Sequence, residues 1–262
     1  MTEPLFSRVL LTNDDGIDAP GLTVLEDVAR QLAREVWVVA PMLDQSGTSH
    51  SVSLHDPLRI SRLGERRFAV GGTPGDCVTI GVRHLLAATP PDIILSGINR
   101  GANLGRETVF SGTVGAAMTG MLLGIPSIAL SQAFTHPAPV KWETARALAP
   151  DVIRRLAGLT WSGDACLNVN FPDFPAEESR PLVLTRQGRG LLDGIDVLVR
   201  EDPRGLAYHW LKLERSRKPD HAGTETEAVA AGHVSVTPLR FERTHEDVWD
   251  SLRRQMTPPR GT

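Results

Sequence analysis

The chain alternates between short, unbroken apolar runs and longer segments whose apolar positions recur every three or four residues. Residues 9–11 (Val-Leu-Leu) and 35–41 are continuous runs, the pattern of strands buried on both faces of a parallel sheet. Between them Asp18 and Pro20 offer a capping side chain and a helix-start proline, and Leu22, Leu25, Val28, Ala29 and Leu32 fall at helical spacing. These segments predict a βαβ unit with a right-handed crossover. Residues 42–55, rich in serine and threonine, predict a loop over the sheet edge at which the first strand ends. Strand-like pieces at 58–60 and 68–70 lead into Thr73-Pro74-Gly75-Asp76, where Thr73 caps, Pro74 takes the first helical position and Asp76 completes a capping box. That helix continues through Val78, Val82, Leu85 and Leu86 and stops before Pro90. Residues 92–96 form another buried run and feed a Gly/Asn loop at 97–105. After Ser111 a helix carries small residues at every fourth position (Gly112, Ala116, Gly120, Gly124), which lets its backbone lie close on the sheet. A strand at 127–131, a helix at 142–156 that Pro150 should kink or split, and strands at 166–171 and 182–185 complete this part.

From about Arg186 the period changes to two, over 195–200 and 206–214, joined by Glu201-Asp202-Pro203-Arg204-Gly205. This is a hairpin with a five-residue turn. Its Tyr208, Trp210 and Leu211 are more apolar than a solvated hairpin needs, which fits an arm onto another subunit or a lid over the active site. A late strand at 232–238, a terminal helix capped by Thr244 with Asp247, and a frayed tail at 256–262 follow. The fold class expected is α/β: a Rossmann-like three-layer sandwich with a mostly parallel sheet in residues 1–185. Residues 186–262 add a hairpin, closing strand and helix used in oligomerisation, within one structural domain overall.

Composition narrows the partners. A net charge of -3, from 28 basic and 31 acidic residues, gives no electrostatic case for a nucleic-acid polymer or an anionic membrane. Cys77 and Cys166 stand apart without CxxC spacing, which argues against a thiolate metal site and suits a reducing cytoplasm. Glu3 and Arg8 leave no readable signal peptide, so the expected location is cytoplasmic. Residues 108–140 lack Lys, Arg, Asp and Glu, but repeated glycines and Pro126 interrupt them, so a buried helix and strand are expected there rather than a membrane span.

Candidate chemistry gathers at the strand ends, where open α/β sheets bind ligands. The first strand discharges into Asn13-Asp14-Asp15-Gly16. Taken alone, this fits a plain polar turn as well as a metal site. The next strand ends supply Ser46 and Asn99. Two carboxylates, a hydroxyl and an amide oxygen can give one Mg²⁺ or Mn²⁺ four oxygen ligands. Beside them Gly47-Thr48, Gly101-Ala102 and Ser111-Gly112-Thr113 offer backbone N–H groups for an anion, the last at a helix start. A cation beside an anion cradle points to phosphate. No G-x-G-x-x-G follows the first strand, which counts against a dinucleotide binder. A metal-dependent binder or transferase of sugar nucleotides, and a non-catalytic phosphate sensor, remain alternatives to a phosphatase.

Thr12-Asn13-Asp14-Asp15-Gly16-Ile17-Asp18-Ala19-Pro20-Gly21, Gln45-Ser46-Gly47, Gly72-Thr73-Pro74-Gly75-Asp76-Cys77, 96–105 and Ser111-Gly112-Thr113-Val114 resemble the SurE ("survival protein E") phosphatases, as do 168–170, 185–188 and 234–238 nearer the C-terminus. The resemblance implies a Rossmann-like core and one divalent cation per subunit on Asp14, Asp15, Ser46 and Asn99, with Asp14, Asp15 and Asn99 catalytic. It implies substrate contacts at Gly47, Thr48, Asn103, Ser111, Gly112 and Thr113, and hydrolysis of nucleoside 5′- and 3′-monophosphates, with short polyphosphate as a further substrate. Homodimers or homotetramers built through the C-terminal hairpin and tail are also implied. Glu225 and His233 depart from the pattern, which has an aspartate and an aromatic there. Water activated by the metal is the expected nucleophile, with an aspartyl-phosphate on Asp14 as the competitor. That competitor uses D-x-D spacing, whereas these acids are adjacent. No histidine can be assigned as general acid; His84, in a helical stretch, and His136, beside a proline, fit structural roles.

Overall fold

A computed structural model describes residues 3–161, 163–215 and 221–256. Its centre is a nine-stranded sheet. The strands are β1 (Phe6–Thr12), β2 (Ala33–Pro41), β3 (Ile60–Arg62), β4 (Arg67–Val70), β5 (Ile93–Arg100), β6 (Ser127–Gln132), β7 (Cys166–Phe171), β8 (Arg180–Leu184) and, after the hairpin β9 (Leu192–Glu201) and β10 (Ala207–Arg215), β11 (His233–Leu239). Their order is β3-β4-β2-β1-β5-β6-β7-β11-β8, and β4 through β7 are all parallel neighbours. β3 is antiparallel to β4, and β11 is antiparallel to β7 and parallel to β8.

Alternation along the apolar runs creates two cores. On one face Val9, Leu11, Val38, Ala40, Ile93, Leu95, Ile128 and Leu130 pack against α1 (Pro20–Arg30) and α4 (Trp142–Ala157). On the other, Leu10, Val39 and Ile94 meet α2 (Pro74–Ile80) and α3 (Gly112–Leu122), with Ala129 and Cys166 also against α3. Successive strand residues point to opposite faces, so an unbroken apolar run is what a strand covered on both sides requires. The three-layer α/β sandwich follows directly.

Several local expectations are corrected. Asp18 does not cap α1: Ala19 holds the N-cap position without a side-chain bond, and Pro20 opens the helix. The Thr73–Asp76 capping box is present, but the helix widens into a π turn over Gly81–Leu85. β5 does not stop at Ser96. Its pairing with β6 slips between Ser96 and Asn99, where the Gly97–Ile98 peptide is cis, and resumes at Asn99↔Ser131. Pro150 does not split α4. Gly124 lies beyond α3 at φ +79° and ends it rather than extending its small-residue face. A short helix α5 (Glu225–Ala230), not anticipated from periodicity, has Thr224 as its N-cap. In the terminal helix α6 (Glu246–Met256), Nδ1 of His245 rather than Thr244 accepts the Val248 N–H (3.4 Å). Of the tail expected to fray, residues 257–262 lie outside the described residues.

Candidate functional site

Where β1 ends, Gly16 at φ +100° allows a turn that residues with a Cβ rarely adopt. Asn13 Nδ2 donates to the Gly16 carbonyl (2.8 Å), Ile17 N–H to Pro41 O (2.8 Å) and Gln45 N–H to Asp14 O (2.7 Å). These bonds hold the first strand end and the 42–50 segment together. Asp14 is 4% exposed, and one of its carboxylate oxygens accepts the Thr113 hydroxyl. A Cβ on Gly112 would come within 2.7 Å of Asp14 Cβ, so the start of α3 rests directly on this acid. Asp15 Oδ2 accepts the Arg100 N–H (3.1 Å), which joins the acids to the irregular end of β5. Just before it, Asn99 donates its Nδ2 to Gly101 O (2.8 Å), leaving Oδ1 as the free end of that amide. Ser46 enters from the 42–50 segment, its N–H on Asp44 Oδ1 (2.8 Å). That segment is fixed from behind by Ser49 N–H on Phe110 O (3.1 Å) and by His50 Nε2 against Thr119 Oγ1 (2.8 Å).

The electrostatics of this corner are those of two buried carboxylates, relieved at Asp15 by the Arg100 charge. Burial pushes the Asp14 carboxyl up to about 6; the Thr113 hydroxyl opposes this, while Asp15 and Asp44 add to it. Burial also raises Asp15, against the Arg100 N–H and with a further contribution from Asp44. Among the described residues neither acid forms a salt bridge. In the same turn the buried Asn13 Oδ1 has no hydrogen-bond partner among them. Among the described residues no three His, Cys, Asp or Glu side chains converge as a ligand group, so neutral oxygens from Asn99 and Ser46 would have to complete any metal shell.

The anion-binding groups are fewer than expected. Thr48 N–H is bonded to Gln45 O (3.2 Å) and Gly101 N–H to Gln132 O (2.9 Å), so neither is free for an anion. Ser111 is the N-cap of α3, its hydroxyl accepting Val114 N–H (3.1 Å). The Gly112 and Thr113 N–H groups are left unused by the helix. Asn103 sits inside a buried network: its N–H donates to Asn170 Oδ1 (2.8 Å), its Nδ2 to Ser131 Oγ (2.8 Å), and its carbonyl accepts Asn168 Nδ2 (2.9 Å).

Sequence reasoning missed Asp44, which no spacing connects to Asp14. It also missed the role of Glu225, whose buried carboxylate accepts N–H groups from Gly105 (2.6 Å) and Gly188 (2.8 Å), clamping the segment after Asn103 to the stretch before the hairpin. His233, the other atypical position, bonds Pro181 O through Nδ1 (2.9 Å).

Residues 9–193 match the family model described as Survival protein SurE, a stretch that includes every candidate site residue. The chain belongs to the SurE family. A relative from Burkholderia lata named 5'-nucleotidase SurE 1 is 64% identical, covering 97% of this chain and 98% of its own. The 5'-nucleotidase SurE of Paramagnetospirillum magneticum is 51% identical over 96% of each chain. The crystal structure of the SurE protein from Aquifex aeolicus superposes with a TM-score of 0.80 at 36% identity, covering 95% of this SurE chain and 100% of that one. No helix among the described residues is long and apolar enough to cross a membrane.

Two cavities flank the sheet ends. One of about 370 Å³, beside Phe6, Ile93 and Trp161, lies at the amino ends of the strands, opposite the acids. The other, about 980 Å³, begins at Arg100 and Gly101, next to Asn99.

Proposed function

We propose that this SurE chain is a 5′-nucleotidase, a phosphoric monoester hydrolase that works with one Mg²⁺ or Mn²⁺ on Asp14, Asp15, Ser46 and Asn99. The observation that carries the reading is the pair of adjacent carboxylates, one 4% exposed with its pKa pushed up to about 6, that has no salt-bridge partner among the described residues. Two such groups fit a hard divalent cation, and Asn13 Oδ1, without a hydrogen-bond partner among the described residues, and Asn99 Oδ1 are further oxygens of the type it takes. When bound, the cation neutralises phosphoryl charge and lowers the pKa of water. The residues of the chain do the rest. Thr113 fixes the Asp14 carboxylate, Arg100 N–H fixes Asp15, and the unused Gly112 and Thr113 N–H groups, with Gly47, donate to the phosphoryl oxygens as charge gathers on them. Water supplies the hydroxyl that replaces the nucleoside, and the nucleoside oxygen leaves with a proton.

The relatives named 5'-nucleotidase support the substrate class. Nucleoside 3′-monophosphates and short polyphosphate present the same terminal phosphoryl group, and we extend the proposal to them and to a cytoplasmic setting. Assembly into a homodimer or homotetramer is supported by the exposed apolar side chains of the hairpin, with Trp210 at 62% and Leu211 at 76%, and by α6, which buries none of its residues within the subunit. The test is phosphate release from 5′- and 3′-mononucleotides after EDTA treatment and again with Mg²⁺ or Mn²⁺ restored. Release that needs the cation and is lost in Asp14→Asn is expected; tight nucleotide binding without turnover would support a sensor instead.

A further inference from the structure

The larger cavity adjoins the acids through a single stretch of chain. Arg100 gives its N–H to Asp15 and its side chain to the cavity wall, where the guanidinium lies 5.2 Å from the centre of the Phe134 ring. Gly101, whose carbonyl holds the Asn99 amide, is the next lining residue. The cavity thus begins one residue along the chain from Asn99. Its volume of about 980 Å³ lies at the upper end of the ordinary range for small-molecule sites, roughly 300–1,000 Å³.

The chemistry of the lining narrows the occupant. Leu104 and Val229, members of one small apolar cluster, share it with Phe174. Its charges largely cancel in pairs: Arg215 is bound to Glu107 (2.9 and 3.3 Å), and Asp173 to Lys141 (2.5 Å). Arg100 forms no salt bridge among the described residues, and its guanidinium lies over the Phe134 ring. A guanidinium over an aromatic ring, inside apolar walls whose other charges are compensated in pairs, suits the flat face of an aromatic heterocycle.

We propose that this cavity receives the nucleobase of the substrate, with the Arg100 guanidinium and the Phe134 ring as its stacking platform. The proposal rests on the phosphatase reading above and deepens it: Glu107, the residues after β6 and Leu191 just before β9 form a base-recognition site separate from the phosphate site.

The test compares AMP with ribose 5-phosphate, which keeps the sugar phosphate and lacks the base. The quantity read is the ratio of kcat/KM for the two substrates in one enzyme preparation, which cancels any loss of folded protein. Stacking on an aromatic side chain changes binding by roughly tenfold or more. Phe134→Ala should lower the ratio by about that factor, chiefly through KM for AMP, and Phe134→Trp should restore it. An unchanged ratio in Phe134→Ala overturns the platform, as does a wild-type enzyme that treats both substrates alike. Arg100→Ala should also lower the ratio; an equal loss on both substrates would mean that Arg100 contacts phosphate, and would overturn its role here. Absence of cation-dependent release from both substrates would overturn the phosphatase reading, and this inference with it.

Discussion

Asp14 shows what a single buried carboxylate implies. Its folded-state pKa of about 6 lies above the ordinary aspartate value of 3.8, so without a cation the folded protein holds this proton more tightly than the unfolded chain. The stability linked to Asp14 is therefore complete below about pH 4 and is lost as pH rises through about 6. Calorimetry of EDTA-treated protein should show this component as a falling Tm between these pH values, absent in Asp14→Asn and offset at pH 7 by Mg²⁺ or Mn²⁺. Asn99→Ala should leave the fold intact and weaken cation binding by roughly tenfold or more, read by titration calorimetry. The acids themselves were legible from adjacency at a strand end, and Asn99 and Ser46 from the recurrence of that design. Asp44 was not, because its effect on Asp14 and Asp15 comes through the fold of a loop without period or motif. Nor could Thr48, Gly101 and Asn103 be told from ligand-facing donors before their internal partners were known.

The elements read from unbroken apolar runs, β1, β2, β5, β6 and β7, formed where expected, since both sheet faces are covered. Errors arose where tertiary contacts outweigh local preference. Pro150 removes one helical hydrogen bond, at a cost of about 3 kcal/mol, yet α4 continues because Ala145, Ala149, Val152, Ile153 and Leu156 are packed into the core. α5 is not legible from periodicity, because six residues are too few for it to register, although Thr224 followed by Glu227 is a cap signature. The start of α3 is the element most tightly coupled to chemistry. Gly112→Ala would set a methyl group 2.7 Å from Asp14 Cβ, so the helix start must move off the acid. The expected result is a fall in kcat of about tenfold or more, from a misplacement on the scale of an ångström, with circular dichroism essentially unchanged.

For the whole molecule, the hairpin is the main unpartnered surface. Among the described residues β9 and β10 pair only with each other, in a sheet of their own. Replacing Trp210 and Leu211 with serine should shift the mass measured by light scattering toward the monomer while preserving the circular dichroism spectrum of the core; an unchanged mass would assign the hairpin some other role. The central α/β sheet was visible in the sequence as a succession of segments, but the position of its last strand was not, because nothing in the local pattern of residues 233–239 distinguishes an edge from an interior place.

That position matters for how the protein is made. β11 is inserted between β7 and β8, both of which precede it by more than a full element in the chain. As the polypeptide leaves the ribosome, β7 emerges with its outer backbone groups unpaired, and they stay so until the hairpin and α5 have also been synthesised. A nascent chain stalled before His233 therefore presents an open, apolar sheet margin to its neighbours, which makes late synthesis the interval in which a chaperone has most to protect.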